Sequence, residues 1–595
     1  MLDLAQLKSM AERATDLTSD AREASERDRD YYDGHQWSAE EVAILQKRKQ
    51  PVITINRIKR KIDAMVGIEQ RGRVDPVAQP RNPQDEEAAD LATKALRFVE
   101  ETQRIDVKRS SAFENLIVEG YGGVEVIAEE YNGQMDVCIK RLRWEEIFFD
   151  PHSREKDFSD ASYLGVLKWM SLDAAMEYAA PFWEGEQAEL EAILDTGADG
   201  VAGETYEDRP QREGGMAWAD KRLKRVRVAQ MYYKRDGQWH LAIFTGKGEL
   251  FNNVSPYVEE GKPCCPIILM SGYVDRENRR YGVVRDMISM QEEINKRRSK
   301  LLNALNNRQT MGMKGAVDVA AMKRQLAMPD GHVEVDPAAY DPETGMKPFD
   351  IIPTMDMTQG QFALLQEAKS EIDMLGPNAS LLGQLSGQQS GRAIMAQQQA
   401  GLAELAPIYD SLRDWTERVY RACWHRIKQF WQEPRWIRVT EDEASAQFVG
   451  VNQMVMGPYG PQMMNAVAEI DVDIIVDQAP DYASLRAEQF DKLADLAAKG
   501  VPIPPDVLID VADIRDKRKL MEKLQPPPEA QAMQAQEAQV QSQLAQRGAV
   551  AEIDKTEAEA ERARAAAAKD MASIGKMQAD VVLQATRPMN TAAGF

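Results

Sequence analysis

The sequence predicts an α+β fold, predominantly helical, in which a mixed body carries two long helices with a small tip between them. Three observations predict this. Apolar residues recur at helical spacing over long runs, most clearly at 282–307 and 408–431. Alternating and β-branched segments bounded by Gly, Asn and Asp cluster between 124 and 245. A stretch of about 50 residues, 308–357, interrupts the helical pattern with Gly, Pro and short strand-like runs, and that is an ordinary size for a small subdomain.

The elements follow in chain order. Residues 1–33 are helical and mostly polar, ending at Tyr31-Tyr32-Asp33-Gly34. The next helix is expected over 55–70, where Ile58, Ile62, Met65 and Val66 share one face. Its basic run, Arg57, Lys59, Arg60 and Lys61, suits a surface or packing role better than nucleic acid. Helices at 85–102 and 106–119 are closed by Gly120, Gly122 and Gly123. Strands are expected at 124–128, 136–142 and 163–169. The Gly-rich, acidic stretch 183–221 reads as a mobile excursion. Segments 225–234 and 239–245 make a hairpin around Asp236-Gly237, a two-residue turn of the favoured kind.

Over 282–307 a single helix is expected: Val284, Met287, Ile294, Leu301 and Leu305 keep helical spacing and no proline intervenes. At ~1.5 Å per residue it extends ~39 Å. Its second half carries Glu292, Glu293, Lys296, Arg297, Arg298 and Lys300, too many charges for a helix buried all round. Within the tip, strands are expected at 332–335 and 349–352, and a helix resumes at 361–375. Beyond an uncharged Ser/Gly/Gln segment, 392–406 and 408–431 read as one helix broken at Pro407, whose missing N–H should kink it. Gly401 is a second candidate hinge. Ile408, Leu412, Trp415, Val419, Cys423 and Phe430 mark a core-facing stripe. Strands at 437–439 and 470–476 return to the body, and 482–499 with 506–524 form a helical pair. The proline-free tail, 529–586, is rich in Ala, Gln and Glu; as continuous helix it runs ~87 Å. Its apolar positions are mostly alanine, so a single copy buries little. It is either a fraying appendage or one stave of a multi-chain helical barrel.

At 595 residues the chain exceeds one ordinary core, and two to four structural units are expected. A net charge of −22 argues against a protein that coats nucleic acid by neutralising phosphates. Cys138, Cys264, Cys265 and Cys423 form no CxxC pair, which fits a reducing compartment; Cys264-Cys265 reads as buried strand without a disulfide. No apolar run approaches the ~20 residues that span a bilayer, and the N-terminus does not read as a signal peptide.

Enzymatic signatures are missing. No GxxxxGK[ST] occurs, since Gly246-Lys247, Gly261-Lys262 and Gly575-Lys576 are followed by Gly, Pro and Met, and there is no HExxH or GxSxG. His35, His152, His240, His332 and His425 lie far apart without ligand spacing. No catalytic residue, metal site or cofactor is expected.

The most informative stretch is 378–391. Gly383, Gly387 and Gly391 permit unusual backbone angles, and Gln384, Ser386, Gln388, Gln389 and Ser390 offer hydrogen bonds without fixed charge. Such a loop touches a polyanion without gripping it. Ser390-Gly391-Arg392-Ala393-Ile394, opening a long helix, resembles the tunnel-loop segment of tailed-bacteriophage portal proteins, the ring-shaped head-to-tail connectors. The likeness runs in segment order over roughly 25–525 and is nearest to the large portals of short-tailed phages with a helical C-terminal extension.

That resemblance implies a division into a wing or body (1–280 and 432–480), a first stem helix (281–307), a clip (308–357) and a second stem helix (358–377). It further implies a tunnel loop (378–391), a long kinked helix (392–431), a crown (481–525) and a tail or barrel (526–595). It implies a ring of twelve copies around a channel for double-stranded DNA, held without sequence specificity. The partners implied are the packaging terminase, a head-completion adaptor, and coat and scaffolding proteins, with no membrane, at the portal vertex of the virion and in the host cytoplasm during assembly. Arg392 is the phosphate-contact candidate beside the loop. Lys296, Arg297, Arg298, Lys300 and Arg308 form a basic cluster low on the first stem helix; consecutive residues point to different faces, so mixed pairing between subunits is the expectation. The rival reading is an acidic oligomeric scaffold or coiled-coil adaptor without a DNA channel.

Overall fold

Leu7, Ala11 and Ala14 share one face of helix α1 (Leu4–Leu17), and that face packs on a sheet. A capping box between Asp3 and Gln6 starts the helix. Helix α2 (Ser19–Asp33) stops at Gly34, whose φ of +100° makes a left-handed cap at the expected place. Helix α3 (Ala39–Lys47) was not anticipated; it buries no residue and rests on a capping box at Ser38 and Glu41.

The computed structural model describes residues 1–73, 76–81, 85–194, 217–220, 223–306, 309–326, 328, 330–339, 347–352, 355–377, 391–442, 445–457, 460–470 and 472–476, with positions 492, 493, 496, 499 and 569 beyond. The chain divides into units Met1–Leu485 and Arg486–Phe595, and every element named here belongs to the first. The expected helical pair after 482 and the tail lie outside the described residues, those five positions apart.

Helix α4 (Ile58–Arg71) buries Ile58, Ile62 and Met65. After it come β1 (Pro76–Pro80), α5 (Glu86–Gln103) and α6 (Ile105–Val118). Next, β2 (Tyr121–Tyr131) pairs antiparallel with β3 (Gln134–Leu142). A second antiparallel sheet begins with β4 (Ile147–Phe149) and β5 (Tyr163–Ser171). Helices α7 (Leu172–Ala179) and α8 (Gln187–Leu194) and β6 (Ala219–Asp220) intervene before β7 (Arg225–Arg235), β8 (Gln238–Phe244) and β9 (Glu249–Val254) complete it. The stretch expected as an excursion thus holds α8 and β6, while 195–216 and 221–222 lie outside the described residues. The expected hairpin is present: Arg235 faces Gln238, and Asp236 and Gly237 both take positive φ, 52° and 76°, as the primed two-residue turns require.

A short ribbon, β10 (Val258–Glu259) with β11 (Lys262–Pro263), precedes β12 (Ile267–Ser271), which joins the other edge of β2. Cys264 and Cys265 lie in the link between β11 and β12 rather than in a strand, because Pro266 cannot donate to a ladder; all four cysteines are free. Ribbon β13 (Tyr273–Val274) with β14 (Arg280–Tyr281) leads into α9 (Val284–Asn306), the expected long helix.

Beyond it, β15 (Thr310–Gly312) pairs with β16 (Phe349–Ile351) across a connection that includes α10 (Val319–Leu326). The strand expected at 332–335 is irregular chain, since 349–351 takes its ladder partner from 310–312. Helices α11 (Met355–Met374) and α12 (Gly391–Phe430) follow. Helix α12 continues as one element through Pro407, the position expected to break or kink it. Leu405, Ile408, Tyr409 and Leu412 around it are buried; at ~1.5–3 kcal/mol per side chain their packing outweighs the ~3 kcal/mol cost of an interior proline.

The chain ends its first unit with hairpins β17 (Arg435–Asp442) with β18 (Ser445–Val451) and β19 (Gln453–Gly457) with β20 (Gly460–Met464). Strand β21 (Val472–Val476) then pairs with β1, Pro76 opposite Val476. The largest core gathers Ile62, Phe113, Ile294, Ile372, Ile408 and Trp415 from α4, α6, α9, α11 and α12. A second lies between the two larger sheets, and α1 closes a third. The fold is a mixture of helix and sheet.

Candidate functional site

Helix α9 carries polar residues where its stripe should be apolar. Gln291, Asn295 and Ser299 follow one another at four-residue spacing and are at most 1% exposed. The first two hold the chain ahead of α4. Asn295 Oδ1 accepts from Ile55 N–H at 2.9 Å, while Gln291 Nε2 donates to Ile55 O at 2.6 Å and its Oε1 accepts from Arg57 N–H at 3.0 Å. Asn295 Nδ2 donates onward to Gln36 Oε1 at 2.7 Å. A buried amide is stable only when its bonds are made, so these contacts fix the start of α4 against α9.

Helix α4 in turn grips the end of α11. Arg57 Nη1 donates to both carboxylate oxygens of Asp373, at 2.7 and 2.6 Å. One turn on, Lys61 donates from Nζ to the carbonyls of Asp373 (3.0 Å), Leu375 and Pro377 (3.4 Å). The last carbonyls of a helix lack partners and carry partial negative charge, so a buried ammonium answers both needs. Burial pushes Lys61 down to about 8, against the pull of Asp373 and Glu404. Gly376, at φ +72°, turns the chain where a Cβ would stand 3.0 Å from Met287 Cε. Helices α4, α9 and α11 thus meet in one joint, immediately ahead of segment 378–391.

Helix α12 closes the same joint. Tyr409 donates from its hydroxyl to Met65 O at 2.8 Å and packs its ring 5.3 Å from that of Phe113. Further along, Trp415 Nε1 donates to Ile268 O at 2.9 Å, and buried Arg426 donates to Val126 O and Val258 O beneath the Tyr257 ring. A separate cleft of about 680 Å³ opens between α2 and α9. Asp28 lies in it at 2% exposure, one oxygen unbonded and Arg285 Nε 3.9 Å away; burial pushes it up to about 7.

The predicted site residues fall unevenly. Gln384, Ser386, Gly387, Gln388, Gln389 and Ser390 lie outside the described residues, as does Arg308. Gly391 and Arg392 open α12, Gly401 is buried within it and Pro407 is internal to it. In the basic cluster, Lys296 pairs with Glu292 at 2.9 Å and Glu41 at 3.1 Å, and Arg297 pairs with Glu293 and donates to Gln361 Oε1 at 3.3 Å. Those two are engaged within their own chain. Arg298 and Lys300 are exposed.

Sequence reasoning missed the joint. Arg57 and Lys61 stood in a basic run without a target, though the i, i+4, i+8 series Gln291, Asn295, Ser299 inside an apolar stripe was a readable signal. Among the described residues no three His, Cys, Asp or Glu side chains converge as a metal site, and no helix is long and apolar enough to cross a membrane.

Arg297 meets Gln361 while Met287 meets Gly376, so α9 and α11 run antiparallel and carry the small β15–α10–β16 tip between them. The class is therefore a mixed helix-and-sheet protein that mounts a helix pair and tip on a braced joint. Comparison with known proteins gives the family. Residues 8–570 match the Phage P22-like portal protein family, and the chain belongs to it. A portal protein of Helicobacter pylori bacteriophage KHP30 is 22% identical over 548 residues, covering 89% of this chain and 83% of that protein. Membership makes this a structural protein of the phage capsid, and it implies a homo-oligomeric ring with partners among capsid and packaging proteins.

Proposed function

We propose that twelve copies close into a ring at one capsid vertex, around a channel through which double-stranded DNA is packaged, retained and ejected. In this reading α9 and α11 are the stem helices and 308–357 is the clip that docks terminase and later the head-completion adaptor. The body, 1–280 with 432–480, faces coat and scaffold, and 378–391 touches DNA through uncharged side chains. Residues from 481 onward supply crown and barrel. The role is passive: contacts to the duplex are few, exchangeable and blind to sequence. Host cytoplasm is where the ring assembles.

The observation that supports this best is the antiparallel pair α9–α11, rooted in the body by Lys61, Arg57, Gln291 and Asn295 and bearing a tip with a single buried apolar residue, Ala316, among those described. A tip with so little core gains stability from neighbours and partners. Negative-stain electron microscopy of the purified full chain tests the reading. Twelvefold end-on rings with a hole wide enough for duplex DNA are expected. Monomers or elongated bundles that persist at high concentration overturn it.

A further inference from the structure

Between Glu443 and Glu469 no residue carries a charge, in a chain where 29% of residues do. That stretch supplies β18, β19 and β20, so of the four strands in these two consecutive hairpins only β17 carries charge, at Arg435, Arg438, Glu441 and Asp442. Their registers sort the side chains. In β17–β18, Ile437 and Val451 are fully buried on one face. On the other, Trp436 stands opposite Gly450 and Phe448 opposite Arg438, both aromatics 66% exposed. In β19–β20, Met454 faces Met463, and Met456 lies two residues on, so pleating puts all three on one face. They are 67%, 50% and 83% exposed.

The hairpins are tied together. Gln453 Nε2 donates to Arg435 O at 3.2 Å and Asn465 Nδ2 to Gly450 O at 2.7 Å. Exposed aromatics and methionines on adjoining ribbons amount to a surface patch of the kind that marks a protein contact.

Charge selects the occupant. Each copy carries −22, so two copies repel except where the touching surfaces are uncharged or complementary. Permanent contacts between copies are also the more apolar kind, enriched in aromatics and methionine and depleted of charge at their centre. Arg438 lies two residues from Trp436 and opposite Phe448, a positive charge on this face that complements an acidic neighbour.

We infer that the outward faces of hairpins β17–β18 and β19–β20 are a contact surface for a second copy of this chain, with Trp436 and Phe448 as anchors and Met454, Met456 and Met463 as the adaptable fill. The inference rests on the ring reading above and adds a location to it. In a closed ring the two contacting faces differ, so this patch meets a different patch of its neighbour.

Methionine oxidation tests it on the unmodified chain. Ring and monomer fractions of the full chain are treated with dilute hydrogen peroxide, and sulfoxide formation at Met454, Met456 and Met463 is followed by peptide mass spectrometry. Oxidation is expected to slow at least about tenfold in rings relative to monomers. Equal rates overturn the inference while leaving the ring intact; the absence of rings at any concentration overturns the ring reading and the inference with it. Protection that appears only on adding coat or scaffolding protein also overturns it, by assigning the patch to another partner. A Met454→Glu/Met456→Glu variant with unchanged circular dichroism is expected to need at least about tenfold more protein to form rings, and unchanged assembly of a folded variant counts against the patch. Should that variant fail to fold, the oxidation rates decide.

Discussion

Gly282 should not tolerate alanine, and the reason is space rather than backbone angle. The chain crosses the end of α6 just before α9 begins, and Val283 N–H donates to Ile117 O at 2.8 Å. A Cβ on Gly282 would stand 2.3 Å from Ile117 O, 2.6 Å from Ile117 C and 2.8 Å from Val118 O, all of them main-chain atoms. Gly120 makes the reciprocal approach, its absent Cβ 2.3 Å from Tyr281 Cα. Reaching ordinary contact requires a shift of about 1 Å, and overpacking of this kind costs ~1–3 kcal/mol. If α9 pivots about buried Ile294, ~15 Å along at ~1.5 Å per residue, the tilt is ~4° and Asn306 moves ~1 Å. Native-state hydrogen exchange reads this locally. Gly282→Ala is expected to speed exchange in 105–118 and 284–294 roughly 5- to 150-fold, the equivalent of that cost. Gly67→Ala is the control: Gly67 lies within α4 with nothing within 4 Å of its missing Cβ, so it should slow exchange there, by up to ~1 kcal/mol of added helix stability. A Gly282→Ala protein with unchanged protection in α6 and α9 would refute the close approach.

Three further outcomes are expected. Lys61 sits at about 8 in the fold against its ordinary value of 10.5, so between those values the native state binds fewer protons than the unfolded chain and stability rises with pH. The rise, at most ~3 kcal/mol, should vanish in Lys61→Met; equal urea midpoints of the two proteins relative to one another at pH 7.5 and 10.5 would count against the buried ammonium. Asp28 shows the opposite sign, raised from 3.8 to about 7, so the native state binds the extra proton and stability falls as pH climbs through that window. Asp28→Asn should match wild type near pH 4 and exceed it at pH 8 by up to ~4 kcal/mol, read as a thermal shift. Under the ring proposal, Arg298→Glu with Lys300→Glu should weaken assembly at low salt and have little effect at ~1 M salt, where exposed charges are screened; light scattering across a salt series measures it, and a salt-independent defect would disconnect these residues from intersubunit pairing.

What could be read from the sequence alone was whatever depends on neighbours a few residues away. The stop of α2 at Gly34, the Asp236-Gly237 turn, the length of α9 and the apolar stripe of α12 all follow from spacing and backbone preference within one or two turns of chain. The likeness at 390–394 extended this to a family because segment order, too, is a property of the string. Local rules failed where a partner was distant. The strand expected at 332–335 is irregular chain, because 349–351 takes its ladder partner from 310–312.

Only the tertiary structure decided what the polar residues were for. Lys61 looked like one cation in a surface run until the carbonyl of Asp373, 312 residues away, came within 3.0 Å of it. Gln291 and Asn295 had no assigned role until Ile55 and Arg57 met them. Gly120 read as the close of one helix and Gly282 as the start of another, but their use is close approach of two backbones. The physical reason is common to all: periodicity and turn chemistry are set by residues that are neighbours in the chain, whereas a buried donor, acceptor or missing Cβ is answered by whatever the fold brings beside it.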